Sequence, residues 1–266
     1  MVIEFFRKRN EFNKIARDIK NIKIQGARNI AKSALKAYAL IPTKKSKKKL
    51  LKLRPTEPMM ENVLEMAEKG YPPSSINAHF DEAQEKINKA VFKIIKNKDV
   101  IFTHCHSTNV VNALIYAKNK GKKFEVYNTE TRPLYQGRKT AKELKKAKIK
   151  VTMFVDSAVG VALSKEQGTK KVSKIFLGAD AITEQGIINK IGSETIAILA
   201  KKQKIPVYII ADSWKFTKKK IPLENRKLNE IWDKAPKDMK FKNPAFEFVP
   251  KKYITKWISE KGVKGL

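Results

Sequence analysis

Val100-Ile101-Phe102-Thr103-His104-Cys105-His106-Ser107-Thr108-Asn109 is an apolar run that breaks into polar residues and then enters an amphipathic stretch. It reads as strand, turn and helix in immediate succession, with Ser107 and Thr108 where a helix would begin. The same unit recurs downstream. Apolar runs at 123–127, 151–155, 174–177 and 207–210 alternate with amphipathic stretches at about 108–119, 138–148, 157–164 and 192–203. That alternation predicts a parallel sheet covered on both faces. Ligands of such sheets lie beyond the C-terminal strand ends, where strand order reverses. The residues just after each strand are therefore the ones to read for chemistry.

Upstream the rhythm is helical. Phe5, Phe6, Phe12, Ile15, Ala16 and Ile19 recur at helical spacing over 4–20, and Ile30, Ala31, Ala34, Leu35 and Tyr38 over about 26–39. A third helix is expected over 57–68, and a long one over 75–97 with Ser74 or Ser75 as its cap. The run Lys44-Lys45-Ser46-Lys47-Lys48-Lys49 reads as a solvated loop. The expected architecture is α/β: a helical N-terminal domain over 1–97, then a Rossmann-like, doubly wound, mostly parallel sheet domain over 98–266 that binds ligand.

Composition bounds the rest. The chain has 266 residues, 42% hydrophobic, which is enough for a core. No stretch reaches the roughly 18 apolar residues of a membrane span, and the N-terminus lacks the apolar region of a signal peptide. A single cysteine, Cys105, permits no internal disulfide and suits a reducing cytoplasm. The net charge of +32 has three possible origins: nucleic acid, an anionic ligand, or a lysine-rich composition. Arginine stands only at 7, 9, 17, 28, 54, 132, 138 and 226, and lysine is spread over every polar helix face. Nucleic-acid recognition favours arginine, which weighs toward the third origin.

At the strand ends, Cys105 precedes a helix start whose unpaired N–H groups attract anions and lower a thiol pKa. The alternative is a small buried residue between two capping histidines. His104, Cys105 and His106 are too close in sequence to ligate one metal together, so no metal is expected. Arg132 is placed to hold a phosphate or to pair with Glu130, and Asp156 to cap a helix. Asp180 falls where a catalytic acid would sit. Asn189 and Lys190 form a polar pair before a helix near Ser193, and Lys215 lies between two aromatics. No Walker lysine loop and no G-x-G-x-x-G is present, which disfavours nucleotide hydrolysis and dinucleotide binding.

Thr103-His104-Cys105-His106-Ser107, Thr129-Glu130-Thr131-Arg132-Pro133, Val155-Asp156-Ser157-Ala158, Gly178-Ala179-Asp180, Ile188-Asn189-Lys190-Ile191-Gly192 and Asn243-Pro244-Ala245-Phe246-Glu247 together resemble one family. It joins archaeal ribose-1,5-bisphosphate isomerase, methylthioribose-1-phosphate isomerase and the regulatory subunits of eukaryotic translation initiation factor 2B. The likeness runs through most of 98–262 and is thinner before 97, where Ile24-Gln25-Gly26-Ala27 and Arg54-Pro55-Thr56 carry it. The resemblance implies Cys105 as proton acceptor and Asp180 as proton donor. It implies substrate contacts from Gln25, Gly26, Ala27, Arg28, Arg54, Ser107, Thr108, Asn109, Asn189, Lys190 and Lys215. The wording is nearest the ribose-1,5-bisphosphate isomerase branch, which implies formation of ribulose 1,5-bisphosphate in nucleotide (AMP) salvage, with no metal or organic cofactor. It also implies a homo-oligomer, dimer or hexamer. The alternative within the family is a non-catalytic, translation-factor-like regulatory subunit that binds a nucleotide or sugar phosphate and a protein partner. Three departures stand out: Gln25 replaces the arginine of an Arg-Gly-Ala motif, the stretch from Asp180 to Asn189 is one residue short, and the N-terminal part is trimmed between helices.

Overall fold

The computed structural model describes residues 2–265. Met1 and Leu266, the outer bounds of the two expected regions, lie outside the described residues. Five helices come first: α1 (Val2–Lys20), α2 (Ala27–Leu40), α3 (Lys44–Leu51), α4 (Pro58–Glu68) and α5 (Pro73–Ile94). Phe12, Ala16 and Ile19 of α1 meet Ile30, Ala34 and Tyr38 of α2, as their spacing requires. Phe5 and Phe6, though part of the same helical spacing, lie beyond this contact and stay exposed.

The lysine run is not a loop. It forms α3, because Thr43 Oγ1 accepts from Ser46 N–H at the first turn and Leu50 is fully buried. Lysine is a good helix former, and its ammonium groups reach solvent from any exposed face. Neither Ser74 nor Ser75 caps α5. Pro72 stands at the cap and Pro73 opens the helix, where a missing N–H costs nothing.

The sheet has seven strands: β1 (Val100–Thr103), β2 (Glu125–Thr129), β3 (Lys150–Phe154), β4 (Lys174–Leu177), β7 (Val207–Ile210), β9 (Lys256–Ser259) and β10 (Gly262–Lys264). Their order is β10-β9-β7-β4-β1-β2-β3. All neighbours are parallel except β9 and β10. Helices α6 (Thr108–Asn119), α7 (Gln136–Lys146), α8 (Val159–Ser164) and α9 (Ser193–Lys202) connect the strands. Two apolar clusters fill the two faces. One centres on Phe102, Ile175, Ile196 and Ile209; the other joins Ile101, Val126 and Phe176 to Ile87, Val91 and Ile95 at the end of α5.

A second sheet was not anticipated. Antiparallel β5 (Ala181–Thr183), β6 (Gly186–Lys190) and β8 (Phe246–Pro250) form it. The short stretch after Asp180 is thus a tight hairpin, with Thr183 paired to Gly186. Among the described residues, no helix is long and apolar enough to cross a membrane.

Candidate active site

The chain leaves β1 to build β2 and β3 on one side, then returns to place β4 on the other. Strand order therefore reverses between β1 and β4, and a crevice opens beyond their C-terminal ends. Thr103 pairs with Phe176, which sets Cys105 and Asp180, a few residues further on, at adjoining strand ends. Gly178 lets the β4 end come close: a β-carbon there would stand 2.7 Å from Cβ and Oγ of Ser107.

All the residues expected to touch ligand line this one cleft. Gln25, Gly26, Ala27 and Arg28 come from the start of α2; Arg54 from the turn before α4; Cys105, Ser107, Thr108 and Asn109 from the β1 end and α6. Asp180, Asn189, Lys190 and Lys215 complete it from β4, β6 and the turn after β7. Two helix N-termini, those of α2 and α6, open onto it, each with first-turn N–H groups unpaired within the helix. Several of these side chains are held by the protein itself. Arg28 Nη2 pairs with Asp81 at 2.5 Å, and Asn109 Nδ2 donates to Gln84 Oε1 at 2.9 Å. Asn189 Nδ2 donates to Ser193 Oγ at 2.8 Å, and Lys215 Nζ donates to the Ala179 carbonyl at 2.5 Å.

Of the two readings the sequence leaves open for Cys105, a thiol lowered by the helix start and a small buried residue, the structure favours the second. Cys105 is only partly exposed, its surface facing the cleft, and burial pushes it up to about 12, against the pull of Lys190 and the His106 amide. The field of one helix start is weaker than the loss of water. Cys105 also sits at φ 65°, with its N–H donated to Thr131 Oγ1 at 3.0 Å. Burial likewise raises Asp180, although Lys215, Arg54 and Lys190 favour its charged form. Lys190 is lowered, first by burial.

His104 and His106 are framework groups. His104 is 3% exposed; its Nδ1 accepts from Thr129 Oγ1 at 2.5 Å and its Nε2–H donates to the Ile191 carbonyl at 2.8 Å. That neutral tautomer agrees with burial holding its pKa down to about 4. Thr140 Oγ1 donates to the Cys105 carbonyl at 2.8 Å and faces His106 Nδ1 at 3.1 Å. Two expectations at neighbouring strand ends are corrected. Glu130 pairs with Arg138 at 2.9 Å, while Arg132 bonds to the Tyr135 hydroxyl and lies outside the cleft lining. Asp156 does not cap its own helix; its carboxylate receives the N–H groups of Thr131 and Arg132 at 2.8 and 2.6 Å.

Glu57 and Arg226 were missed. Both border the cleft, and Arg226 is bound to Glu230 and Glu224 at 2.6 and 3.3 Å. Nothing local marks either; only the fold brings residue 57 beside Asp180. Elsewhere His79, Asp212 and Glu260 place ligand atoms within 4.8 Å of one another. Their hydrogen bonds are already made, to one another or to the 213–214 backbone.

The chain matches the Initiation factor 2 subunit family over residues 65–264. It belongs to that family. Among its relatives, the ribose 1,5-bisphosphate isomerase of Methanocaldococcus jannaschii is 35% identical, over 92% of this chain and 88% of that protein. The ribose 1,5-bisphosphate isomerase of Thermococcus kodakarensis is 34% identical, over 95% and 90%. A crystal structure of the Pyrococcus horikoshii translation initiation factor eIF-2B superposes with a TM-score of 0.84 at 24% identity, covering 96% of each chain. That last likeness establishes the fold alone. Within the Initiation factor 2 subunit family, the cleft described here lies inside the matched residues except for the parts supplied by α2 and the turn before α4.

Proposed function

We propose that the protein is an aldose–ketose isomerase that converts ribose 1,5-bisphosphate to ribulose 1,5-bisphosphate. The observation that carries this reading is the pairing of a thiol and a protonatable carboxyl, Cys105 and Asp180, at adjoining strand ends in one cationic cleft. The names of the most similar relatives point to the same substrate.

The chemistry needs a base and an acid on one sugar. Cys105, in its thiolate form, removes the proton on C2. The C1–C2 double bond forms, the bond from C1 to the ring oxygen breaks, and Asp180 gives its proton to that oxygen, which becomes the C4 hydroxyl. The C2 enol then ketonises: its hydroxyl proton returns to Asp180, and the Cys105 thiol delivers its proton to C1. The hydrogen has moved from C2 to C1 and both side chains are restored. Lys190 and Lys215 with the α6 start, and Arg54 and Arg28 with the α2 start, are the groups that would hold the two phosphates. Nucleotide salvage is the route this reading assigns to the product.

Self-association into a dimer or hexamer belongs to the same reading. It is supported by an edge strand, β3, which carries exposed Met153 and is followed by exposed Val155. The regulatory reading draws on the exposed, uncharged Gln25 and on a thiol held protonated. Direct assay of ribulose 1,5-bisphosphate formation separates the two, since a regulatory subunit binds ligand without turnover.

A further inference from the structure

Glu57 is 3% exposed and borders the same cleft as Asp180. Its Oε1 lies 3.6 Å from Arg54 Nη2, and its Oε2 has no hydrogen-bond partner among the described residues. Across Arg54, the Glu224 carboxylate is 3.3 Å from Nε, and neither of those atoms completes a hydrogen bond. A buried carboxyl oxygen with no partner costs less as the neutral acid than as a carboxylate, because the charged form loses more on leaving water.

The charges facing Glu57 come from four places. Arg54 belongs to its own turn, Asp180 to the β4 end, Lys215 to the turn after β7, and Glu224 to the segment that follows. Lys190, from β6, faces Asp180. With every group ionised, Glu57, Asp180 and Glu224 cancel Arg54, Lys190 and Lys215. The cleft as a whole keeps more cations, since Arg28, Lys139 and Arg226 also line it, but around these carboxyls an arriving phosphate dianion crowds like charge. A proton is the small cation able to enter with the ligand.

We propose that Glu57 is a positioning residue that takes up a proton as an anionic ligand enters the cleft, so that no second carboxylate faces the phosphates and Asp180 keeps the proton it must deliver. The inference rests on the sugar-bisphosphate reading. Burial, with Asp180 next, pushes Glu57 up to about 8, so its proton exchanges within the working range. The charge of Asp180 is one of the causes that raise Glu57, so the protonation of the two carboxyls is linked.

The test is titration calorimetry on the intact Cys105→Ser protein, which binds without turnover. Ribose 1,5-bisphosphate and ribose 5-phosphate are the probes, at pH 8, in buffers of different ionisation enthalpy. Phosphate monoesters are fully ionised there, so any proton gained is gained by the protein. Glu57 is about half protonated at pH 8, so the expected result is uptake approaching about half a proton per bisphosphate. Affinity should weaken several-fold from pH 7 to 9. Adding Glu57→Gln, which mimics the protonated acid, should remove most of the uptake and flatten the pH dependence. The count on Glu57-containing protein is informative whatever the variant does. Tight bisphosphate binding without uptake overturns the inference and leaves the substrate reading standing. Uptake undiminished in Glu57→Gln assigns the proton elsewhere and also overturns it. Uptake with ribose 5-phosphate but no binding of the bisphosphate keeps the linkage and sinks the substrate reading. Failure of both probes to bind overturns both.

Discussion

Gly178 rests against Ser107 so closely that any β-carbon would lie 2.7 Å from the serine Cβ and Oγ. Ser107 caps α6, and its neighbours Thr108 and Asn109 open onto the cleft. Gly178→Ala must therefore displace the helix start that borders Cys105. The expected outcome is a loss of about 10- to 100-fold in kcat/KM, since misplacement by an ångström costs on that order. Steady-state kinetics with ribose 1,5-bisphosphate check it. An unchanged kcat/KM would show that the α6 start does not hold the substrate.

Lys190 is buried at the end of β6 and faces both Cys105 and Asp180. Lys190→Met keeps much of the bulk and removes the charge. The thiolate then loses the cation that favours it, and the ligand loses a phosphate partner. We expect kcat/KM to fall by about 10²- to 10³-fold, with a clear share in KM. A change confined to thermal stability would contradict the placement.

The pH dependence of turnover follows from the two raised groups. The thiol, pushed up to about 12, is protonated through the working range, so the thiolate fraction rises about tenfold per pH unit. Opposing this, Glu57, pushed up to about 8, loses its proton as pH rises and no longer helps Asp180 to keep its own. kcat/KM should climb about tenfold per unit from pH 6.5 to 7.5 and level off above about pH 8. A profile that is flat or falling over pH 6.5–7.5 would rule out a thiolate base.

Stability carries the opposite signature at Glu57. Its folded pKa, about 8, lies above the ordinary 4.5. The folded state thus binds more protons, and its stabilising effect is complete below about 4.5 and lost as pH rises through about 8. His104 and His106, both held down to about 4, work the other way and destabilise the fold as pH falls below about 6.5. Thermal melts should show Glu57→Gln gaining on wild type from pH 6 to 9, reaching several degrees, on the order of 5 °C. A gap that closes toward pH 9 would contradict the buried-acid assignment.

What could be read from the chain depended on how local the signal was. Five of the six parallel strands, β1, β2, β3, β4 and β7, announce themselves as apolar runs, and the residues after them gather at one edge because parallel strands end there. The hairpin of β5 and β6 was hidden because Ile182, Ile187 and Ile188 are too few to set a period, and β8 pairs with β6 from some sixty residues away. Glu57 and Arg226 join the cleft only through tertiary packing. Thr56 Oγ1 donating to the Pro222 carbonyl is one of the contacts that brings their segments together. The Cys105 thiol shows the same limit: its neighbours in sequence favour a thiolate, while the enclosure built by distant elements favours the thiol.

The central claim is that Cys105 and Asp180 act as base and acid on one sugar bisphosphate. The most direct measurement is formation of ribulose 1,5-bisphosphate from ribose 1,5-bisphosphate by the pure protein, beside Cys105→Ser and Asp180→Asn. The account predicts turnover in wild type and a loss of at least about 10²- to 10⁴-fold in each variant, with bisphosphate binding retained. Binding without turnover in wild type, or turnover that survives either substitution, would contradict it.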